Sequence, residues 1–370
     1  MRVTSVYIHI PFCRRKCNYC DFASTALYGH EQELAAYPTW LRQELALYQP
    51  KLDLSHLETI YFGGGTPSLL TPQQVAEILS WFPPAGEITL EANPETVEGQ
   101  RLHDYRQAGI NRLSLGIQSF QPALLSAMGR GHSAAQAKAA VAAARQAGLE
   151  NINLDLIYGL PAQTLAMWQE DLTQALALES EHISLYGLTL HEGTPWGDDP
   201  MIHAADQDLS ADMLELAIDR LAAAGYRHYE IANFARPGFA SRHNCAYWQR
   251  ENYLGLGVAA ASCLAERRFA NHPTLAAYAA ALAAGKRPVA EEETLTIDQV
   301  LAEAMFLGLR LEKGVVAKEF YRRYGADPLR RYHRELARMQ KLGLLEADDG
   351  VIRLTRRGLL LGNEVFAEFL

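Results

Sequence analysis

Three cysteines crowd into eight residues near the start of this 370-residue chain, as Cys13-x-x-x-Cys17-x-x-Cys20. The other two, Cys245 and Cys263, lie more than 200 residues downstream. An odd cysteine count in so long a chain does not describe a secreted disulfide scaffold, which would be shorter and richer in cysteine. Clustered thiols point to metal instead. A closed structural zinc site asks for four ligands and a ferredoxin site for a fourth nearby cysteine, and the local sequence supplies neither. Three thiolates at this spacing can hold three irons of a [4Fe–4S] cube. The fourth iron is then open to a substrate or cofactor.

Other residues of chemical interest are spread along the chain. Gly63-Gly64-Gly65-Thr66-Pro67 is a turn through which a backbone could approach a ligand closely. Glu91, Gln118 and Asp155 fall at or near the ends of apolar stretches, and Arg130 sits in Met128-Gly129-Arg130-Gly131. Taken singly, each is as readily a loop, solvated or core-satisfied residue as a ligand. Gly255-x-Gly257-x-x-Ala260 superficially matches a dinucleotide fingerprint, but it opens no βαβ unit and no acidic residue follows about twenty positions on. Close backbone packing is its simpler reading, and NAD is set aside.

The elements that must position these residues repeat from the start to about residue 225. Strands are expected at 5–10, 57–63, 87–92, 111–117, 151–157 and 182–188. Helices are expected near 31–48, 71–81, 96–108, 133–147, 164–178 and 206–224. Strands alternating with helices imply βαβ units and a parallel sheet. Six are too few for an eightfold barrel but enough for a partial (β/α)6 one, with sites at the carboxyl ends of the strands. Along 151–157, Asn151, Asn153 and Asp155 share one face, and Ile152, Leu154 and Leu156 the other. Arg112, Ser114 and Gly116 oppose Leu113, Leu115 and Ile117 in the same way. Parallel strands covered on both faces by apolar layers would read as continuous apolar runs. A barrel lumen lined with hydrogen-bonding groups accounts for the alternation better than a sheet with one solvated face.

Past residue 290 the pattern changes. Arg287-Pro288 and Glu291-Glu292-Glu293 mark a junction, dividing residues 1–290 from 291–370. Helical patterns near 296–311, 315–323 and 328–342 precede a hairpin signal, Asp348-Asp349-Gly350, between two short strands. The expected fold is α/β, the partial barrel followed by a small α+β winged-helix-like domain. Residues 310–357 hold thirteen Lys or Arg against seven Asp or Glu, although the whole chain carries a net charge of −9. Helical spacing puts Arg331, Arg334, Arg338 and Lys341 on one face. That face is expected either to be solvated or to dock reversibly on an acidic partner or anionic membrane. The acidic whole argues against nucleic acid as partner. No apolar run reaches the roughly 18 residues of a bilayer crossing, and the first residues lack a signal-peptide pattern, so a cytoplasmic location is expected.

Tyr7-x-His9-x-Pro11-Phe12-Cys13-x-x-x-Cys17-x-Tyr19-Cys20 resembles the signature of radical S-adenosylmethionine (SAM) enzymes. The resemblance implies a [4Fe–4S] cluster on Cys13, Cys17 and Cys20. It implies SAM on the open iron, cleaved by an electron from the cluster to methionine and a 5′-deoxyadenosyl radical. It also implies that Tyr7, Tyr19, Gly64, Gly65, Thr66, Glu91, Gln118 and Asp155 bind SAM, with Arg130 forking onto its carboxylate. Leu115-Gly116-Ile117-Gln118-Ser119-Phe120, Asp155-Leu156-Ile157-Tyr158-Gly159-Leu160-Pro161 and Arg242-His243-Asn244-Cys245-Ala246-Tyr247-Trp248 extend the likeness to the oxygen-independent coproporphyrinogen III oxidase group, across essentially the whole chain. That group contains true oxidases, which decarboxylate propionates to vinyls, and a heme-chaperone branch.

Two departures favour the chaperone branch. Cys20 is followed by Asp21-Phe22 where oxidases place a further cysteine, and only twelve residues precede Cys13. The expected cargo is heme, passed to apo-hemoproteins such as respiratory cytochromes, by a monomer or a heme-dependent dimer. His243 is the candidate axial ligand, with Tyr247 and Trp248 as flat walls. Cys245 is a possible thiolate ligand but reads more simply as a small buried residue. A nucleic-acid-modifying role finds no aromatic-rich RNA platform.

Overall fold

The structure, a computed structural model, describes all 370 residues. The six expected strands form as β1 (Ser5–Ile10), β2 (Thr59–Gly64), β3 (Glu87–Ala92), β4 (Arg112–Gln118), β5 (Ile152–Tyr158) and β6 (His182–Gly187), each parallel to the next. Around them lie α1 (Glu31–Tyr48), α2 (Pro72–Leu79), α3 (Gly99–Ala108), α4 (Pro122–Met128), α5 (Ala134–Gln146), α6 (Leu165–Ala177) and α7 (Gln207–Ala223). Local chemistry sets the helix starts. Thr71 with Gln74 and Ser133 with Gln136 form capping boxes, while Pro72 and Pro122 occupy positions that need no amide donor. Of these seven, only α4 goes unread in the sequence, because seven residues carry too little periodicity.

The sheet is larger than six strands. A hairpin of β7 (Arg227–Glu230) and β8 (Asn233–Ala235) adds antiparallel to β6. After α8 (Arg242–Trp248), strand β9 (Tyr253–Leu256) returns parallel to β1 on its open side. The strands β10 (Ala261–Leu264), β11 (Arg267–Asn271) and, past α9 (Leu275–Ala283), β12 (Val289–Thr294) continue as an antiparallel meander. The full order is β12-β11-β10-β9-β1-β2-β3-β4-β5-β6-β8-β7. Glu291, Glu292 and Glu293, read as part of a junction, instead lie on the edge strand β12. Glu292 pairs with Arg267 and Arg287, and Glu293 with Arg268. A charged edge strand resists pairing with other chains. The Gly255-Gly257 turn packs closely: a Cβ on Gly257 would lie 2.5 Å from the His9 carbonyl oxygen.

The two faces of the sheet divide as the alternation requires. Val6, Ile8, Ile60, Phe62, Leu90, Leu113, Leu115, Leu154 and Ile183 enter a core of 52 buried residues beneath the helices. The other face carries Tyr7, Tyr61, Glu91, Arg112, Ser114, Asn153, Asp155, His182 and Ser184, which share a lumen.

The C-terminal region has its own cluster of 15 buried residues. It comprises α10 (Ile297–Gly308), β13 (Val315–Val316), α11 (Ala317–Tyr324), α12 (Pro328–Arg331), α13 (His333–Lys341), β14 (Leu345–Asp348), β15 (Val351–Leu354), α14 (Arg356–Leu360) and α15 (Gly362–Ala367). The strands run β13-β15-β14, a wing after helices. The expected basic face is divided: the helix breaks at Tyr332, so Arg331 leaves it to pair with Asp298, while Arg334, Arg338 and Lys341 stay together on α13, Arg338 paired with Glu368. No helix is long and apolar enough to cross a membrane.

Candidate functional site

The cysteine loop leaves the carboxyl end of β1 and folds over the barrel rim. Cys13, Cys17 and Cys20 are free and partly exposed. The glycine turn at the end of β2 lies directly against them. Gly64 has φ +113°, and a Cβ there would sit 2.6 Å from the His9 ring. At Gly65 a Cβ would lie 3.0 Å from Cys13 Sγ and 2.7 Å from the Phe12 carbonyl oxygen. These two positions therefore need glycine for close approach. Thr66 is buried and donates to Cys13 Sγ at 3.4 Å.

The rest of the rim is tied to that loop. Arg130 follows α4, and its Nη1 reaches Cys17 Sγ at 3.6 Å. Its Nη2 donates to the Gly116 carbonyl and to Asn93 Oδ1, and Asn93 Nδ2 in turn donates to Thr66 Oγ1 at 3.2 Å. The same guanidinium that is expected to fork onto a carboxylate is thus tied to protein groups. Most of Arg130 is engaged by protein, because it fastens β3, β4 and the cysteine loop together. Only Nε is left without a partner. Gln118 sits at a bulge with φ +67°, and its buried Oε1 is also unpartnered. Tyr19 packs with its ring 6.1 Å from Trp196, and the Trp196 amide donates to the Asn18 carbonyl.

Below the rim the lumen is a continuous hydrogen-bond network. Glu91 accepts from Tyr61 Oη at 2.7 Å and from the Gly64 amide at 3.2 Å. Asp155 accepts from Ser114 and Asn153, while Asn153 Oδ1 contacts His182 and accepts from Ser184. Burial pushes the Glu91 carboxyl up to about 7, opposed by the Tyr61 hydrogen bond, and raises Asp155. Tyr7 Oη meets His9 Nδ1 at 3.0 Å, and His9 Nε2 contacts the Ala23 carbonyl, which anchors the cysteine loop.

His243 is not brought to this rim. It lies on α8 at the opposite end of the barrel, 1% exposed, where Thr59 and Glu87 begin β2 and β3. Thr59 Oγ1 lies 2.7 Å from its Nδ1 and Tyr247 Oη 2.9 Å from its Nε2, and its ring stacks on Tyr61 at 4.9 Å. With both nitrogens engaged, the expected open imidazole for heme iron is absent in this conformation. Trp248 stacks against Arg310 of the C-terminal region. The sequence reading also passed over Asn93 and Tyr61. Period two would have found both, since Asn93 follows Glu91 by two and Tyr61 shares the polar side of β2.

The thiol loop suits an iron–sulfur cluster. Burial pushes the Cys20 thiol up to about 11 and raises Cys13, so a bound cation is what would hold them as thiolates. A glycine cradle on one sulfur and unpartnered polar atoms beside it leave room for a polar ligand at the open side.

Residues 7–175 match the Radical SAM superfamily model, and residues 295–361 match the HemN C-terminal domain. The fold is similar to that of coproporphyrinogen III oxidase (HemN) from Escherichia coli, with a TM-score of 0.85 at 24% identity over 100% of this chain and 90% of that one. Fold and thiol loop together define a radical SAM protein, a family that implies a [4Fe–4S] cluster and SAM. Among curated relatives, heme chaperone HemW of Lactococcus lactis is 37% identical, over 99% of this chain and 97% of the relative. Heme chaperone HemW of Bacillus subtilis is 35% identical over 99% of both. The chain belongs to the HemW family.

Proposed function

We propose that this protein is a heme chaperone that binds a [4Fe–4S] cluster, SAM and heme, and hands heme to recipient hemoproteins. The observation that carries the radical SAM part is the convergence on one rim of the thiol loop, the Gly64–Gly65 turn and the Thr66–Asn93–Arg130 tie. The heme part rests on likeness to HemW relatives along the full length. Cys13, Cys17 and Cys20 would hold three irons. When bound, the cluster and SAM supply one-electron chemistry at the open iron. Gly64, Gly65 and Thr66 leave space for the methionine end, and Tyr7 steadies that wall through His9. Glu91, Gln118 and Asp155 offer acceptors, while Tyr19 closes the side. Arg130 positions the cysteine loop and presents Nε.

Anaerobic reconstitution tests the reading. Wild type should take up four irons per chain, bind SAM, and titrate with hemin. Cys13→Ser, Cys17→Ser and Cys20→Ser should each lose the cluster, whereas Cys263→Ala should keep it. Carbon dioxide released from coproporphyrinogen III in the presence of reductant and SAM would instead make the protein an oxidase.

A further inference from the structure

The cysteine loop carries a charge of its own. Arg14, Arg15 and Lys16 are the three residues between Cys13 and Cys17, and all three are exposed. Residues 11–30 set one acid against them, Asp21, and its carboxylate lies 3.4 Å from His191 Nε2. On a chain of net charge −9 this is a local excess of positive charge. Arg14 donates to the Glu95 carbonyl at 3.2 Å, while the Glu95 carboxylate turns to His132 at 3.4 Å. The Arg15 and Lys16 side chains meet no acid, unlike Arg330, Arg331 and Arg338 of the C-terminal domain. The loop also gathers exposed aromatic surface. Phe12–Cys13 pairs in parallel with Thr25–Ala26, and the Leu27 amide donates to the Cys13 carbonyl at 2.8 Å. Tyr28, 91% exposed, therefore leaves that pair beside Arg14. The Cys20 amide donates to the Cys17 carbonyl at 3.2 Å, and Phe22, 64% exposed, follows that turn. Arginine and aromatic side chains together are the composition of protein interfaces. On their inner sides the thiols are walled in, Cys13 by Gly65 and Thr66 and Cys17 by Arg130. Outward, their cover is the charged loop itself.

We propose that Arg14, Arg15 and Lys16, with Phe22 and Tyr28, form a docking port for an acidic one-electron carrier protein. This rests on the radical SAM reading of the rim, which calls for electrons delivered to the cluster one at a time. The carrier, reduced in its own cofactor, loses one electron and the cluster gains it, and no bond forms or breaks. Unpaired surface cations steer an acidic partner to the place where the thiols lie nearest to solvent, against the repulsion of the acidic chain as a whole. Redox encounters use small, transient interfaces, so a patch of this size suffices. The competing account is that the cations only offset the charge of the three thiolates. It places their effect on the cluster and none on a partner.

Equilibrium binding of flavodoxin, an acidic flavoprotein, to the reconstituted protein tests this. Wild type should bind at low salt and weaken as salt rises, because surface charges are screened. Arg15→Glu combined with Lys16→Glu should weaken binding about tenfold at low salt, with cluster content unchanged. Arg14 stays in place, since it ties the loop to Glu95. Arg15→Gln with Lys16→Gln makes a milder change should the reversed pair not take up the cluster, and Arg15→Lys with Lys16→Arg should keep wild-type affinity. Reduction of the cluster should follow binding. Flavodoxin hydroquinone anion, giving one electron and becoming the neutral semiquinone, should reduce the charge-reversed protein more slowly, while an uncharged photoreduced deazaflavin should reduce both alike. Wild type whose binding is absent at low salt, or indifferent to salt, overturns the port. So do variants that keep wild-type flavodoxin affinity but alter the potential or content of the cluster. Iron and sulfide analysis separates the two readings. A chain that holds no cluster loses the radical SAM reading and the port with it, whereas a loaded chain whose flavodoxin affinity ignores the substitutions loses the port alone.

Discussion

The imidazole of His243 shows how burial sets one residue's behaviour. Desolvation, aided by the charge of Arg112, pushes its pKa down from 6.5 to about 3. Between those values the unfolded chain takes up a proton that the native ring refuses, so stability falls as pH drops below about 6.5. The slope approaches about 1.4 kcal/mol per pH unit for one such group. His243→Phe keeps a flat ring but strands Thr59 Oγ1 and Tyr247 Oη, at a cost of about 1–3 kcal/mol near neutrality. Its deficit against wild type should therefore narrow by on the order of 1 kcal/mol per pH unit on going from pH 6 to pH 5. Urea unfolding at pH 7.5, 6 and 5 measures this, and a deficit that stays constant would mean the native ring protonates freely.

At the scale of elements, α8 is held at both ends. Ser241 caps it through Oγ, Glu87 accepts from the Arg242 and His243 amides, and Arg323 from α11 donates to the Gln249 and Arg250 carbonyls. Seven residues are too few for a stable isolated helix, so tertiary contacts keep it formed. Its face toward the lumen carries His243, and release of that ring is required before it can meet heme iron. Tyr247→Phe removes the contact at Nε2 while leaving the helix and ring in place. If His243 serves heme, this variant should bind hemin several-fold more tightly, and adding His243→Ala should cancel the gain. Soret titrations that are identical for wild type, Tyr247→Phe and the double variant would remove His243 from heme binding.

Across the whole molecule, a few buried ions hold the C-terminal domain to the barrel. Glu303 on α10 takes Arg250 and Arg268, and Arg310 lies between Trp248 and Phe366 at 4.8 and 4.7 Å. Glu303 and Arg250 are each under a tenth exposed, so removing one partner strands a buried charge, at a cost of roughly 3–5 kcal/mol. Glu303→Ala should loosen the domains and split unfolding into two calorimetric transitions, with iron and sulfide content unchanged in the folded protein. A single transition at the wild-type temperature would show that the interface does not depend on this pair. The exposed arginines of the C-terminal domain contribute less. Arg330, Arg331, Arg338, Arg353 and Arg356 each meet an acid near the surface, where pairs are typically worth under about 1 kcal/mol.

Much of this was legible without coordinates. The cysteine spacing, the strand–helix rhythm and the polar face of each strand depend on local chemistry and on a period of two, and these place Glu91, Ser114 and Asp155 in the lumen. The late strands are short and irregular, so only pairing with a strand some 250 residues earlier reveals β9 beside β1. The roles of single side chains were also decided in three dimensions. Arg130 looked like a ligand clamp, and folding adds the part of a tie, because Asn93 and Cys17 lie within its reach. His243 looked like an open ligand and became a plug, because the chain returns it beneath Thr59, 184 residues away in sequence. A linear motif specifies which groups are present. Which of their hydrogen bonds remain free depends on the neighbours that folding supplies.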